Sequence, residues 1–232
     1  MGEARAKSQG ASRKSGAGRG SARVVFGLVV SLIVIALVVA VAFGGSDNEA
    51  ADDSTRVRGQ VTSVGEALPV EVGGEILPPL DDSGSDSAVG MTAPALDGSS
   101  FDGSAVSITP GDGRDYMVVF LAHWCPHCNA EVPRLIEWQN SGAVPAGLEV
   151  VGVSTASTSE RPNFPPSQWV VDMGWPWPVM ADSAVGDAAE AYGVSAFPFF
   201  VIVGGDGTVK LRSSGEKEID ELSAMVADAL SR

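Results

Sequence analysis

The sequence predicts an α/β domain in three layers, a mixed sheet with helices on both faces, preceded by one transmembrane helix and a flexible linker. Three features predict it. Apolar runs of strand length recur after residue 114 and alternate with segments of helical pattern. The last of these runs leads through a glycine-rich turn into a strand of strictly alternating polarity, as expected for an antiparallel edge on a buried sheet. Far upstream, residues 24–43 contain no charged side chain.

The chain begins basic. Residues 1–23 carry six bases (Arg5, Lys7, Arg13, Lys14, Arg19, Arg23) against one acid, Glu3. The run "VVFGLVVSLIVIALVVAVAF" follows, 20 residues long, with Ser31 as its one polar side chain. At about 1.5 Å per residue, a helix of this length crosses a hydrocarbon core of about 30 Å. A buried core helix would show a polar face, which this run lacks. The basic flank on its N-terminal side places residues 1–23 in the cytoplasm and everything after Phe43 on the other side of the membrane. Ala40-Val41-Ala42 also fits a signal-peptidase site, and cleavage near Ala42 would release a secreted protein. The apolar run is longer than the roughly 7–15 residues of a cleaved signal, which favours an uncleaved anchor. In either case the rest of the chain faces a compartment where paired cysteines become disulfides.

Residues 44–90 read as an acidic Gly/Ser-rich linker, largely disordered, from stretches such as "GGSDNEAADDS" and "DDSGSDSAVG". Within it, "RGQVTSVG" and "PVEVGG" are candidates for a small hairpin. Of the 15 bases and 29 acids in the chain, nine bases and 28 acids lie beyond residue 23. So acidic a body argues against a nucleic-acid partner.

Residues 91–232 form the predicted domain. "DYMVVFLAH" (115–123), "LEVVGVS" (148–154) and "FFVIV" (199–203) read as strands buried on both faces. Gly204-Gly205-Asp206-Gly207 supplies a turn. In "TVKLRS" Val209 and Leu211 then lie opposite Lys210 and Arg212, as on a half-exposed edge strand. Helices are expected from Cys125 or Pro126 to about Asn140, over about 166–173, over about 183–192 and over 218–230. The last carries Ile219, Leu222, Met225, Val226 and Leu230 on one face. The predicted order is β-α-β-α-α-β-β-α.

Residues 123–128, "HWCPHC", hold both cysteines and both histidines of the chain. Cys125 falls at the expected N-cap of a helix and Pro126 at its first turn, a favoured proline position. The free N–H groups and dipole of the helix then favour a Cys125 thiolate, the nucleophilic form. Cys128 lies one turn further on, close enough to pair with Cys125. His127, as imidazolium, would add positive charge beside that thiolate and make the disulfide a stronger oxidant. Haem attachment needs a His where Asn129 stands. A structural zinc site needs a second ligand pair, and only His123 and His127 are on offer. A purely structural disulfide would close too small a loop to stabilise much. Ser214-x-x-Lys217 matches a penicillin-binding motif whose other parts are missing.

With these residues in view, the chain resembles the thioredoxin fold. More narrowly it resembles the membrane-anchored, extracytoplasmic TlpA/ResA-like thiol–disulfide oxidoreductases of bacteria. The likeness runs through "APALDGSSF", "FLAHWCPHCNAEVPRL" and "DSAVGDAAEAYGVSAFPFFVIVGGDGTV". The pattern W-C-P-x-C-x-x-E-x-P falls on Trp124, Cys125, Pro126, Cys128, Glu131 and Pro133. The resemblance implies a helix kink at Pro133 and a cis peptide bond before Pro198. It also implies a substrate chain held against the backbone of Phe197, with Trp124 and Phe197 in an apolar rim. Trp175 or Trp177 could join that rim, with core packing the slightly favoured alternative for both. Two features depart from the pattern. The carboxylate that relatives keep six residues before the first cysteine is replaced by Val119, which leaves Glu131 or water to serve Cys128. The Pro126-His127 dipeptide is that of the oxidase DsbA.

The resemblance implies an enzyme of the bacterial plasma membrane, with a redox-active Cys125–Cys128 disulfide and no cofactor. Its partners would be protein thiols and disulfides, a redox protein that resets the pair, and the lipid bilayer around residues 24–43. The direction of exchange stays open, with a lean towards oxidation from His127. The alternatives are a binding module or thiol-dependent metal carrier without turnover and, further off, a peroxiredoxin-like peroxidase.

Overall fold

A computed structural model describes residues 66–81 and 85–232. The basic tail, the apolar run 24–43 and residues 44–65 of the expected linker lie outside the described residues. Among the described residues no helix is long and apolar enough to cross a membrane.

A small antiparallel sheet comes first, in the order β1 (Glu71–Gly73), β2 (Ala95–Ser99) and β3 (Ala105–Ile108). The central sheet comprises β4 (Asp115–Leu121), β5 (Leu148–Ser154), β6 (Val179–Ala181), β7 (Phe199–Val203) and β8 (Val209–Ser214). Its order is β6-β5-β4-β7-β8, with β4, β5 and β6 parallel and β7 and β8 antiparallel additions. Among the described residues the helices are α1 (Pro126–Asn140), α2 (Pro166–Met173), α3 (Asp187–Ala191) and α4 (Ile219–Leu230). The sheet is mixed, as predicted.

After Asp115, β4 is buried at every position because it is the central strand and feeds two cores. Tyr116, Val118 and Phe120 face one, with Val151, Val153, Phe199 and Val201. Met117, Val119 and Leu121 face the other, with Val150, Phe200 and Ile202. The second core is covered by Val132, Leu135 and Trp138 of α1, Trp169 of α2 and Leu222 and Val226 of α4. Trp138 ties α1 to α4 by donating Nε1–H to Ser223 Oγ at 3.0 Å. The first core is covered differently from expectation. Only the five-residue α3 lies there, and Leu96 of β2, Ile108 of β3 and Leu77 do much of the sealing.

The linker needs a correction. Residues 66–81 and 85–90 were expected in a disordered tether, yet they are bonded along the domain. Glu66 caps α2 through Ser167, with Oε2 accepting its N–H at 2.8 Å and Oε1 its hydroxyl at 2.7 Å. Leu77 and Ala88 are buried, and the Leu77 N–H donates to the Ala191 carbonyl at 2.8 Å. Asp86 takes a bidentate ion pair from Arg212 (2.9 and 2.5 Å). Two buried apolar anchors and one buried cation outweigh the polar composition between them. Of the expected hairpin, "RGQVTSVG" lies outside the described residues, while "PVEVGG" contributes β1 and pairs with β2, Val72 opposite Leu96. Arg212, expected on a half-exposed face of β8, is only 6 % exposed because this segment covers it.

Candidate active site

The turn from β4 into α1 brings the two cysteines to the top of the central sheet. The Cys125 N–H bonds the Ala122 carbonyl at 3.0 Å, and Cys125 takes the N-cap in extended conformation (φ −76°, ψ 121°) before Pro126. Both cysteines are free thiols. Their surroundings differ. Cys125 is 5 % exposed, and its S–H faces the Phe197 carbonyl at 3.7 Å. Cys128 is fully buried, and its sulfur accepts the Ala122 N–H at 3.5 Å. Burial pushes the Cys128 thiol far above the ordinary cysteine value, and the neighbouring Cys125 and the charge of Glu131 push it further.

The Phe197–Pro198 peptide bond is cis, and so is Phe164–Pro165, a second cis bond not expected from the residue pattern. Trp124 meets Phe197 edge to face at 6.2 Å and donates Nε1–H to the Ala156 carbonyl at 2.8 Å. Arg161, unforeseen, lays its guanidinium 5.0 Å from the centre of the Trp124 ring. Trp175 and Trp177 stack edge-on at 5.2 Å, and Trp175 lies against Gly152 of β5, so both belong to the core packing. Beside Phe197 a groove of about 410 Å³ is lined by Pro79, Ala156, Val185, Ala189, Glu190 and Val194, among others.

Val119 is fully buried between Gly152 and Phe200, so β4 supplies no carboxylate at that position. Glu131, three residues beyond Cys128 on the same face of α1, is also fully buried. Its Oε2 accepts the Lys217 N–H at 3.0 Å and faces Arg134 Nη1 at 3.3 Å, while Oε1 has no protein partner. Burial raises the Glu131 carboxyl above its ordinary value, against the pull of these two donors. Pro133 lies inside α1, where it cannot donate to the Asn129 carbonyl.

The histidines divide. His123 is fully buried, with Nδ1 2.7 Å from the Pro162 carbonyl and Nε2 accepting the Thr158 N–H at 3.3 Å. Burial lowers its pKa, consistent with a neutral ring that donates from Nδ1 and accepts at Nε2. His127 is exposed and points its Nδ1 at Glu216 Oε1, 2.6 Å away. Asn129, which the sequence offered only as a reason to exclude haem, fastens the turn: its Nδ2 donates to the carbonyls of Cys125 (2.8 Å) and His123 (3.2 Å). Its Oδ1 accepts Trp169 Nε1–H at 2.9 Å.

Two thiols in the first turn of a helix that leaves the central strand of such a sheet, with a cis-proline loop opposite, define a protein of the thioredoxin-fold class. A family model described as Redoxin matches residues 88–229. The chain belongs to the redoxin family. It is 29 % identical over 124 residues to the thiol:disulfide interchange protein HelX of Rhodobacter capsulatus, a match covering 50 % of this chain and 65 % of HelX. The chain thus spans just under two thirds of that relative's length. A thiol:disulfide interchange protein of the thioredoxin family from Chlorobium tepidum shares the fold, with TM-score 0.50 and 24 % identity over 62 % of this chain and 98 % of that one.

Proposed function

We propose that the chain is an extracytoplasmic thiol–disulfide oxidoreductase, anchored in a bacterial plasma membrane through residues 24–43, that exchanges disulfides with protein substrates through Cys125 and Cys128. One observation carries this: the two thiols sit one helical turn apart in opposite environments. Cys125 lies at the N-cap and faces the carbonyl of Phe197, a residue that lines the groove, and Cys128 lies fully buried one turn on, next to a buried carboxyl.

In the oxidising direction a substrate thiolate attacks Cys125 Sγ of the disulfide. The Cys125–Cys128 bond breaks and Cys128 leaves as a thiolate. Burial makes that thiolate a strong proton acceptor, and Glu131, whose carboxyl burial raises above its ordinary value, is the acid placed one turn away to supply the proton. A second substrate thiolate attacks the substrate sulfur of the mixed disulfide and releases Cys125. Two electrons pass from the substrate dithiol to the pair, and a redox partner removes them. The reducing direction is the reverse, with Cys125 attacking and Glu131 taking the Cys128 proton. The substrate chain would lie across Phe197 and along the groove beside it.

HelX is a thiol:disulfide interchange protein by name, which supports this reading. Cys125→Ser should abolish exchange in an insulin-reduction or thiol-oxidation assay, and Cys128→Ser should accumulate the mixed disulfide. Exchange by Cys125→Ser would refute the mechanism. The reduction potential fixes the direction, about −120 mV marking an oxidant and about −270 mV a reductant.

A further inference from the structure

Glu216 lies 89 residues from His127 in the chain, in the loop between β8 and α4, yet its carboxylate bridges two groups of the active-site helix. Oε1 holds His127 Nδ1 at 2.6 Å and Oε2 holds Arg134 Nη1 at 2.6 Å. Arg134 in turn faces the buried Glu131 at 3.3 Å and Glu218 at 3.7 Å. Both residues flanking Glu216 are fixed to the site as well. The Gly215 N–H donates to the Pro198 carbonyl at 2.9 Å, from a backbone with φ of 82°. The Lys217 N–H donates to Glu131 at 3.0 Å, while Lys217 Nζ binds the carbonyls of Ser214, Gly215 and Glu216. Glu216 is thus held in place by its neighbours before it meets His127.

Resting on the oxidoreductase reading, we propose that Glu216 is a positioning residue that restrains the oxidising strength of the Cys125–Cys128 pair by holding His127 and cancelling its charge. A lone imidazolium beside Cys125 stabilises the thiolate of the dithiol form and has no charge to stabilise in the disulfide. An imidazolium paired with a carboxylate presents the thiolate with little net charge. His127 and Arg134 bonds hold the Glu216 carboxyl below its ordinary value, so the countercharge is present.

The test is the equilibrium of the full chain, purified in detergent, with glutathione at about pH 5.5, below the ordinary imidazole value of about 6.5 so that His127 keeps its charge in the variants: disulfide plus two glutathione thiols giving dithiol plus oxidised glutathione. Because His127 is well exposed, Glu216→Gln should move the constant towards the dithiol by about fivefold, or about 20 mV. In a His127→Ala background the same substitution should move it less than twofold. Glu216→Ala gives a second variant with the same expectation. A shift below twofold in the otherwise unchanged chain overturns the proposal. So does a shift of opposite sign, or one of twofold or more that survives His127→Ala. A chain that does not exchange with glutathione at all sinks the oxidoreductase reading itself, whereas exchange with an unmoved constant sinks only the role of Glu216.

Discussion

Asp86→Ala tests the clasp that holds the N-terminal segment to the domain. The Arg212 side chain is fully buried and makes four hydrogen bonds there. Nε and Nη2 go to Asp86 (2.9 and 2.5 Å), and Nη1 goes to the carbonyls of Pro78 (2.7 Å) and Tyr192 (3.0 Å). Removing one partner of a buried pair costs about 3–5 kcal/mol, chiefly by stranding the other charge. Two carbonyls remain, and Asp86 sits near the surface, so the lower end applies, about 3 kcal/mol. For a domain of this size that lowers Tm by roughly 6–12 °C. Asp86→Asn keeps one acceptor and should lose about half as much. Replacing both partners, as in Asp86→Ala with Arg212→Met, should recover part of the loss because no charge is left stranded. Burial raises the Asp86 carboxyl, but the bonds to Arg212 and the Ala88 N–H outweigh it and hold the group below its ordinary value. The stability from this pair is therefore present above the unfolded carboxyl value, about 3.9, and is lost as pH falls through the lower folded one. Urea unfolding at pH 7 and pH 3 measures both effects. A loss under about 1 kcal/mol at pH 7 would show that the segment adds little to the fold.

Three further outcomes follow from the packing around the site. Gly152→Ala would place a Cβ 2.9–3.1 Å from the Trp175 indole, so it should cost about 1–3 kcal/mol in urea unfolding. Val119→Asp would bury an unpaired carboxylate between β5 and β7 and should cost about 3 kcal/mol or more, read the same way. Glu131→Gln removes a carboxyl whose folded pKa is raised by burial, a group that favours the fold in acid and weighs against it as pH rises through the folded value. The variant should therefore match the parent below about pH 4.3 and become the more stable at neutral pH, while its rate of thiol–disulfide exchange falls. Equal stability of the two at pH 8 would contradict the burial argument.

The central sheet was legible because its strands are long and buried on both faces. Two of the apolar runs, 148–154 and 199–203, coincide with β5 and β7 as read. Helix α1 was legible through Pro126, and α2 begins at Pro166 and stops at Gly174, which takes the left-handed conformation with φ of 70°. The strands β1, β2, β3 and β6 span only three to five residues each. So short a strand shows too few alternations to declare a period, and β2 carries Asp97 and Gly98 besides. The site divides in the same way. "HWCPHC" and Pro198 carry local signals, but the pairing of His127 with Glu216 has none, since nothing in a sequence marks which carboxylate a distant loop will bring to an imidazole. The same holds for Arg161 over Trp124 and for Asp86 on Arg212.

The position of the buried carboxyl determines what can act on it. A carboxylate at position 119 would sit on the central strand, flanked by Gly152 and Phe200 on the neighbouring strands and buried in the core that α1 covers. At position 131 it lies on α1, one turn beyond Cys128, where the β8–α4 loop can reach it. That loop gives it the Lys217 N–H, and Arg134 links it to Glu216 and so to His127. Both groups proposed to govern the pair, the buried carboxyl beside Cys128 and the exposed imidazole after Cys125, are therefore joined through one loop that also bonds the Pro198 carbonyl. Moving the carboxyl from strand to helix makes the proton chemistry of Cys128 open to substitutions at residues 215–218, a dependence that a carboxylate buried on β4 would not have.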